Sequence, residues 1–89
     1  MTFEKKRMFY IGLEKNTVDG KDYYTLIFKD GKDKERVNFI GNIADFDSLK
    51  EYDRIDVYCQ IYRAKENYYK LSGLVCYKVE KSLEQETQE

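Results

Sequence analysis

The sequence predicts an all-β domain with one short helix, in which five strands close into a small barrel. Several stretches alternate apolar and polar residues, which is the period-two pattern of half-buried strands. Turn signals such as Asp19-Gly20 separate these stretches, and the apolar period lengthens to three only over residues 43–52. Because five such strands would leave unpaired apolar edges in an open sheet, the pattern favours closure into a barrel.

The first two strands form a hairpin. The first strand covers about residues 8–18, and Asp19-Gly20 is the commonest type of two-residue hairpin turn because both positions tolerate a positive φ. This turn sets apolar residues against apolar residues on the inner face and leaves Tyr10 outside. The predicted inner pairs are Leu13 with Leu26 and Ile11 with Phe28, and the predicted outer pairs are Tyr10 with Lys29, Gly12 with Ile27 and Asn16 with Tyr23.

The middle of the chain predicts a third strand and the helix. Val37 and Phe39 would face inward, and Gly41-Asn42 ends the strand. Residues 43–52 predict two or three helical turns, capped by Asn42 or Asp45. Phe46 and Leu49 would close one end of the barrel.

The last hairpin, from Arg54 to Val79, has the clearest alternation in the chain. If Lys65 to Asn67 form a three-residue loop, the apolar face is nearly continuous and the register is well specified. The predicted pairs are Ile61 with Leu71, Cys59 with Gly73, Val57 with Val75 and Ile55 with Tyr77. Cys59 would then face inward and Cys76 outward, so no internal disulfide is expected and the setting is a reducing, cytoplasmic one.

Length and charge limit the organisation and the functional class. The chain has 89 residues and a formal net charge of −1, which allows one domain and argues against duplex binding by bulk positive charge. Residues 1–79 form the predicted barrel domain, and residues 80–89 form an acidic tail expected to be disordered. Without the tail, 15 basic and 13 acidic residues remain. No apolar stretch is long enough for a signal peptide or a membrane span, so we expect no membrane association.

Catalysis finds little support in the residue types. The chain has no His, which removes the commonest general base and metal ligand. Neither Cys lies in a C-x-x-C pair, and no glycine-rich phosphate loop or nucleophile elbow is present. The acidic residues around the helix are explained by capping and solvation. We therefore expect a non-enzymatic protein without a metal or another cofactor.

The element order β-β-β-α-β-β, Gly12 within the first strand and the aromatic last hairpin together resemble small bacterial and phage single-stranded DNA-binding proteins with the OB-fold. The resemblance covers residues 8–79 and is one of architecture. It implies that single-stranded nucleic acid, in particular DNA, binds across the second and third strands with weak sequence preference. The acidic tail is similar in position to tails that recruit partners, but it lacks an apolar tip, and a solubility role is favoured.

The candidate binding residues are tyrosines that stack on bases and cations that hold phosphates. Stacking contributes about 1–3 kcal/mol per base. These side chains fall on the predicted outer faces and on the tip of the last hairpin. They are Tyr10, Tyr23, Lys29, Lys32, Lys34, Arg36, Tyr58, Tyr62, Arg63, Lys65, Tyr68 and Lys70.

A second interpretation remains open. Outward tyrosines often only pair across strands, and the outward apolar residues Ile27, Ile40 and Leu74 predict a homodimer or a protein partner. The chain would then be an adaptor, a complex subunit or an inhibitor encoded by a phage or mobile element. A bulge near Gly73 that turns Leu74 inward explains part of the pattern equally well. The sequence does not distinguish DNA from RNA.

Overall fold

Five strands form the body of the protein. The computed structural model describes residues 2–62 and 73–83. The strands are β1 (Thr2–Val18), β2 (Lys21–Asp30), β3 (Asp33–Phe39), β4 (Arg54–Tyr62) and β5 (Gly73–Lys81). They form a closed barrel in the order β1-β2-β3-β5-β4. The predicted OB-fold-like, five-stranded barrel is therefore confirmed, and β5 extends beyond the predicted domain limit at residue 79.

The predicted helix is shorter than expected. Only a 3-10 turn forms, over Ile43–Phe46, and the side chain of Asn42 accepts a 3.0 Å hydrogen bond from the backbone N–H of Ala44. The helix does not continue through residues 50–53. There the Asp53 carboxylate accepts a hydrogen bond from the Lys50 N–H, and Tyr52 adopts φ +73°. Phe46 nevertheless packs into the core with Leu49 beside it, as the sequence predicts.

The first hairpin confirms part of the predicted register. Asp19 and Gly20 both have positive φ, and Leu13, Gly12 and Asn16 pair with Leu26, Ile27 and Tyr23 as predicted. A bulge at Ile11 then shifts the pairing, so that Tyr10 lies opposite Phe28 and Phe9 opposite Lys29. The predicted pairs Ile11 with Phe28 and Tyr10 with Lys29 are wrong. An extra residue reverses which side chains face inward, and the sequence alone does not locate it.

The register predicted for the last hairpin is also wrong. Val57 pairs with Val79 and Cys59 with Cys76, and the shift between these pairs makes Tyr77 the extra residue of a bulge. Cys76 is consequently buried opposite Cys59 and does not face outward. The assumed loop is inconsistent with this pairing, because it requires Tyr62 to pair with Lys70, whereas Tyr62 pairs with Gly73. The loop residues themselves belong to residues 63–72, outside the described part of the chain.

The core lies between the two halves of the barrel, and β1 takes part in both. Its first residues pair with β4 and its later residues with β2, with a second irregularity where Arg7 adopts φ +59°. The largest fully buried side chains are Leu26, Ile55, Val57, Cys59 and Cys76. β3 and β5 join through two parallel pairs, Asn38 with Val75 and Phe39 with Cys76. Among the described residues, no helix is long and apolar enough to cross a membrane.

Candidate nucleic-acid interface

The outer face of β2 and β3 brings together four of the predicted site residues. Antiparallel pairing sets Thr25 against Asn38, Ile27 against Arg36 and Lys29 against Lys34, and directly opposed residues point to the same face. We call this surface the binding strip. From Tyr23 to Lys29 it is about 20 Å long, at roughly 3.3 Å per residue. It comprises Tyr23, Thr25, Ile27 and Lys29 of β2, Lys34, Arg36 and Asn38 of β3, and Ile40, which follows β3 directly.

One end of the binding strip is aromatic and apolar. Tyr23 is 53% exposed and Ile40 is 54% exposed. They line a groove of about 660 Å³ together with Val18, and Asn16 and Asn38 supply amide groups in the same groove. Half of the Tyr23 surface is therefore accessible, beside hydrogen-bonding groups that a base edge can use.

The middle of the binding strip carries an ion pair. The Arg36 guanidinium donates a hydrogen bond to the carboxylate of Glu14 on β1. Because Arg36 lies opposite Ile27 and Glu14 lies opposite Thr25, this pair crosses the outer surface of β2. Ile27 points outward as predicted but is only 7% exposed. The prediction that Ile27 offers a partner surface is therefore wrong, whereas Ile40 and Leu74 remain accessible.

The other end of the binding strip is basic. Lys29 and Lys34 lie directly opposite each other, and Lys32 is exposed on the turn between their strands. Within residues 2–62 and 73–83, none of these ammonium groups forms an ion pair with a carboxylate. Two lysines on adjacent strands therefore present positive charge that no described acidic group neutralises, although Asp33 adjoins Lys34.

Tyr10 does not belong to the interface. It is 9% exposed, and its ring packs 5.8 Å from that of Phe46 in the core. Burial raises the pKa of its phenol. The bulge at Ile11 turns Phe9 outward in its place, between Lys29 of β2 and Arg54 of β4. Gly12 is the one sequence signal of irregularity in this strand, but it does not show which neighbouring side chain reverses direction.

Tyr58 points outward on another side of the barrel. Its hydroxyl donates a 2.7 Å hydrogen bond to Glu80, which raises its pKa, and the ammonium groups of Lys6 and Lys78 lie 5.4 Å and 5.5 Å from its ring centre. β1 separates β4 from β2, and β5 separates it from β3. The structure therefore does not bring Tyr58 together with Tyr23.

The predicted hairpin tip lies outside the described residues. Described pairing of β4 with β5 ends at Tyr62 and Gly73. The side chain of Tyr62 lies outside the described part of the structure, and so do Arg63, Lys65, Tyr68 and Lys70. Leu74, at the start of β5, lines a groove with Thr25, Arg36 and Asn38, so the described end of the hairpin adjoins the strip.

Metal ligation finds no support in the described ranges. No group of three His, Cys, Asp or Glu side chains in residues 2–62 and 73–83 is arranged to hold a metal ion. The interface is built instead from one exposed phenol, amide groups and cations. Comparison of the chain with protein-family models, curated proteins and solved structures finds no match.

Proposed function

We propose that the protein binds single-stranded nucleic acid, in particular DNA, along the binding strip and carries out no reaction on it. One observation carries the proposal: Tyr23, Arg36, Lys29 and Lys34 share the outer face of two adjacent strands. A stacking surface and phosphate-binding cations aligned in one shallow strip are what sequence-tolerant recognition of a single strand needs. The free thiols of Cys59 and Cys76 fit a reducing, cytoplasmic setting.

The contributions of the two ends differ. A base stacked on Tyr23 would contribute about 1–3 kcal/mol. Each phosphate held by a cation would give a salt dependence of roughly 0.7 log units in affinity per log unit of salt. Because Arg36 already pairs with Glu14 and the net charge is −1, we expect moderate affinity in which stacking has a large share.

Fluorescence anisotropy with a labelled oligothymidine tests the proposal. We expect Tyr23→Ala to weaken binding by about 1–3 kcal/mol because it removes the stacking surface. Tyr58→Ala is the matched control, since it removes the same side chain from another side of the barrel. Absence of binding at micromolar protein in low salt would refute the proposal. Equal losses for the two variants would show that Tyr23 is not the stacking residue. An oligouridine of the same length measures discrimination between DNA and RNA.

A second candidate function is docking to a protein or to another copy of the chain. Two exposed apolar side chains favour it. Ile40 lines the 660 Å³ groove at the apolar end of the strip, and Leu74 lines the adjoining groove with Thr25 and Asn38. Ile40→Ser should then abolish capture of a partner that survives nuclease treatment, or dissociate a dimer in gel filtration. An unmodified protein that is monomeric, captures no partner and binds oligothymidine would favour the first function over this one.

A further inference from the structure

A row of cations and one aromatic ring crosses the barrel at right angles to the binding strip. Cross-strand pairing places Lys34 opposite Lys29, Lys29 opposite Phe9, and Phe9 opposite Arg54. The neighbouring residues Phe28, Tyr10 and Ile55 are buried, so the members of the row point outward. We call Lys34, Lys29, Phe9 and Arg54 the basic row. It begins at the basic end of the strip and crosses β1 to reach β4.

Arg54 is held in place within the basic row. Its guanidinium carbon lies 4.0 Å from the centre of the Phe9 ring, and one of its nitrogen atoms donates a 2.9 Å hydrogen bond to the carbonyl oxygen of Arg7. A guanidinium has five N–H donors, so most of them remain for a ligand. Because the ring and the carbonyl fix the group beforehand, less side-chain entropy is lost when an anion binds.

Three acidic groups beside the basic row are held in ion pairs. Asp30 accepts from the Lys5 ammonium at 3.1 Å, Asp53 lies 3.8 Å from that of Lys81, and Asp56 lies 3.5 Å from that of Lys6. Within residues 2–62 and 73–83, Lys29, Lys34 and Arg54 themselves form no ion pair. Their positive charges are therefore available to a ligand, although Asp33 and Glu35 adjoin Lys34 in the sequence and the whole chain is slightly acidic.

We propose that a bound single strand leaves the binding strip at Lys29, crosses Phe9 and places a phosphate on the guanidinium of Arg54. This inference rests on the proposed function and extends its site from two strands to four. The added path spans two strand spacings, about 10 Å. A planar guanidinium matches a phosphate with two parallel hydrogen bonds, which favours the sugar-phosphate backbone as the occupant.

Oligonucleotide length separates the two parts of the path. Anisotropy is measured with oligothymidines of about 4 and about 12 nucleotides, which lie within the range of site sizes known for such barrels. We expect Arg54→Gln to weaken binding of the longer strand several-fold and to lower its salt slope by about 0.7, with the shorter strand unaffected. Tyr23→Ala should weaken both strands. Lys78→Gln, which removes the same charge beside Tyr58, should change neither.

A second variant guards against an effect of Arg54→Gln on folding. Lys29→Gln removes a charge at the junction of the strip and the row without touching the Phe9–Arg54 contact, and we expect it to lower the salt slope for both strands. Equal effects of Arg54→Gln on the two lengths, or no effect on either, would overturn the extended path while Tyr23→Ala still supports the strip. Failure of the unmodified protein to bind either strand would overturn both proposals.

Discussion

The backbone N–H of Arg7 donates a 3.0 Å hydrogen bond to the side-chain carboxylate of Asp56, which joins β1 to β4 at the point where β1 is irregular. The Ser82 hydroxyl donates to the same oxygen atom at 2.7 Å. Asp56 is nearly buried, and it fixes a residue whose φ is +59°. The Asp56 carboxylate therefore stabilises the junction between β1 and β4, because the left-handed conformation of Arg7 would otherwise be costly.

We expect Asp56→Asn to destabilise the protein by about 1–3 kcal/mol, since an amide cannot replace a charged acceptor of two hydrogen bonds that also faces Lys6. Denaturant unfolding measures the change. Asp47→Asn is the control, because it makes the same substitution at an exposed position and should cost less than 0.5 kcal/mol, roughly the limit for ordinary surface sites. Similar midpoints for the two variants would contradict the structural role of Asp56.

The same carboxylate gives stability a pH dependence. Burial opposes its ionisation, but the hydrogen bonds from Ser82 and Arg7 and the nearby Lys6 outweigh burial and lower the pKa of Asp56 below the ordinary value of 3.8. Its stabilising effect is therefore complete above that value and is lost as the pH falls through the lower pKa of the folded state. Unfolding curves at a series of acidic pH values should show this loss in the natural sequence, and Asp56→Asn should lack it.

Gly41 should tolerate no side chain. A Cβ at this position would collide with the carbonyl oxygen of Tyr77 and lie 2.9 Å from Cζ of Phe39. Because the first obstacle is backbone, we expect Gly41→Ala to cost about 1–3 kcal/mol through overpacking and displacement of β5. Thermal unfolding measures this cost. Gly12→Ala is the control, since nothing lies within 4 Å of a Cβ there, and a comparable loss of stability at both positions would contradict the prediction.

Glu14 should restrain nucleic-acid binding. Its carboxylate holds Arg36, the cation in the middle of the binding strip. We expect Glu14→Gln to raise oligothymidine affinity by about twofold to fivefold, because it frees the guanidinium at the cost of an exposed ion pair worth less than about 1 kcal/mol. Glu80→Gln removes the same charge beside Tyr58 and should have a smaller effect in the anisotropy titration. Weaker binding after Glu14→Gln would show that the ion pair helps to form the site.

The two thiols should react only when the protein opens. Cys59 and Cys76 are cross-strand partners and are 1% and 0% exposed. The hydrogen bond with Cys59 and burial raise the pKa of the Cys76 thiol, which lowers its thiolate fraction near neutral pH. We expect modification by a coloured thiol reagent to follow the unfolding rate and to become immediate in denaturant. Complete modification within seconds in native buffer would contradict the burial of the pair.

Local pattern predicted much of the fold for clear physical reasons. Asp19-Gly20 accepts positive φ at both positions, and alternation sets Leu26 and Val37 inward, so the first hairpin and the order of elements along the chain followed from the sequence. The two bulges were not predicted. An inserted residue leaves the apolar–polar alternation of the sequence almost unchanged, but it reverses the direction in which the side chains beyond it point. Phe9 rather than Tyr10 therefore faces outward, and Cys76 faces inward.

The residues of the candidate site were likewise predicted only in part. Tyr23, Lys29, Lys34 and Arg36 were predictable, since a strand with an apolar inner face must present the alternate residues outside. Arg54 was not predictable. Its proposed role in phosphate binding depends on Phe9, its partner on β1, which lies more than forty positions earlier in the chain.

The sequence by itself determined the strands, the first turn and most of the inward apolar side chains, such as Leu26, Val37 and Val57, because these depend on residues within one or two positions of each other. The tertiary structure alone decided which outer side chains meet. Closure of the barrel brings Arg54 beside Phe9 and Asp56 beside Arg7, and it separates Tyr58 from Tyr23. Such neighbours depend on register and on the position of bulges. A bulge shifts every later pair by one residue, and the periodic pattern of the sequence carries almost no trace of it.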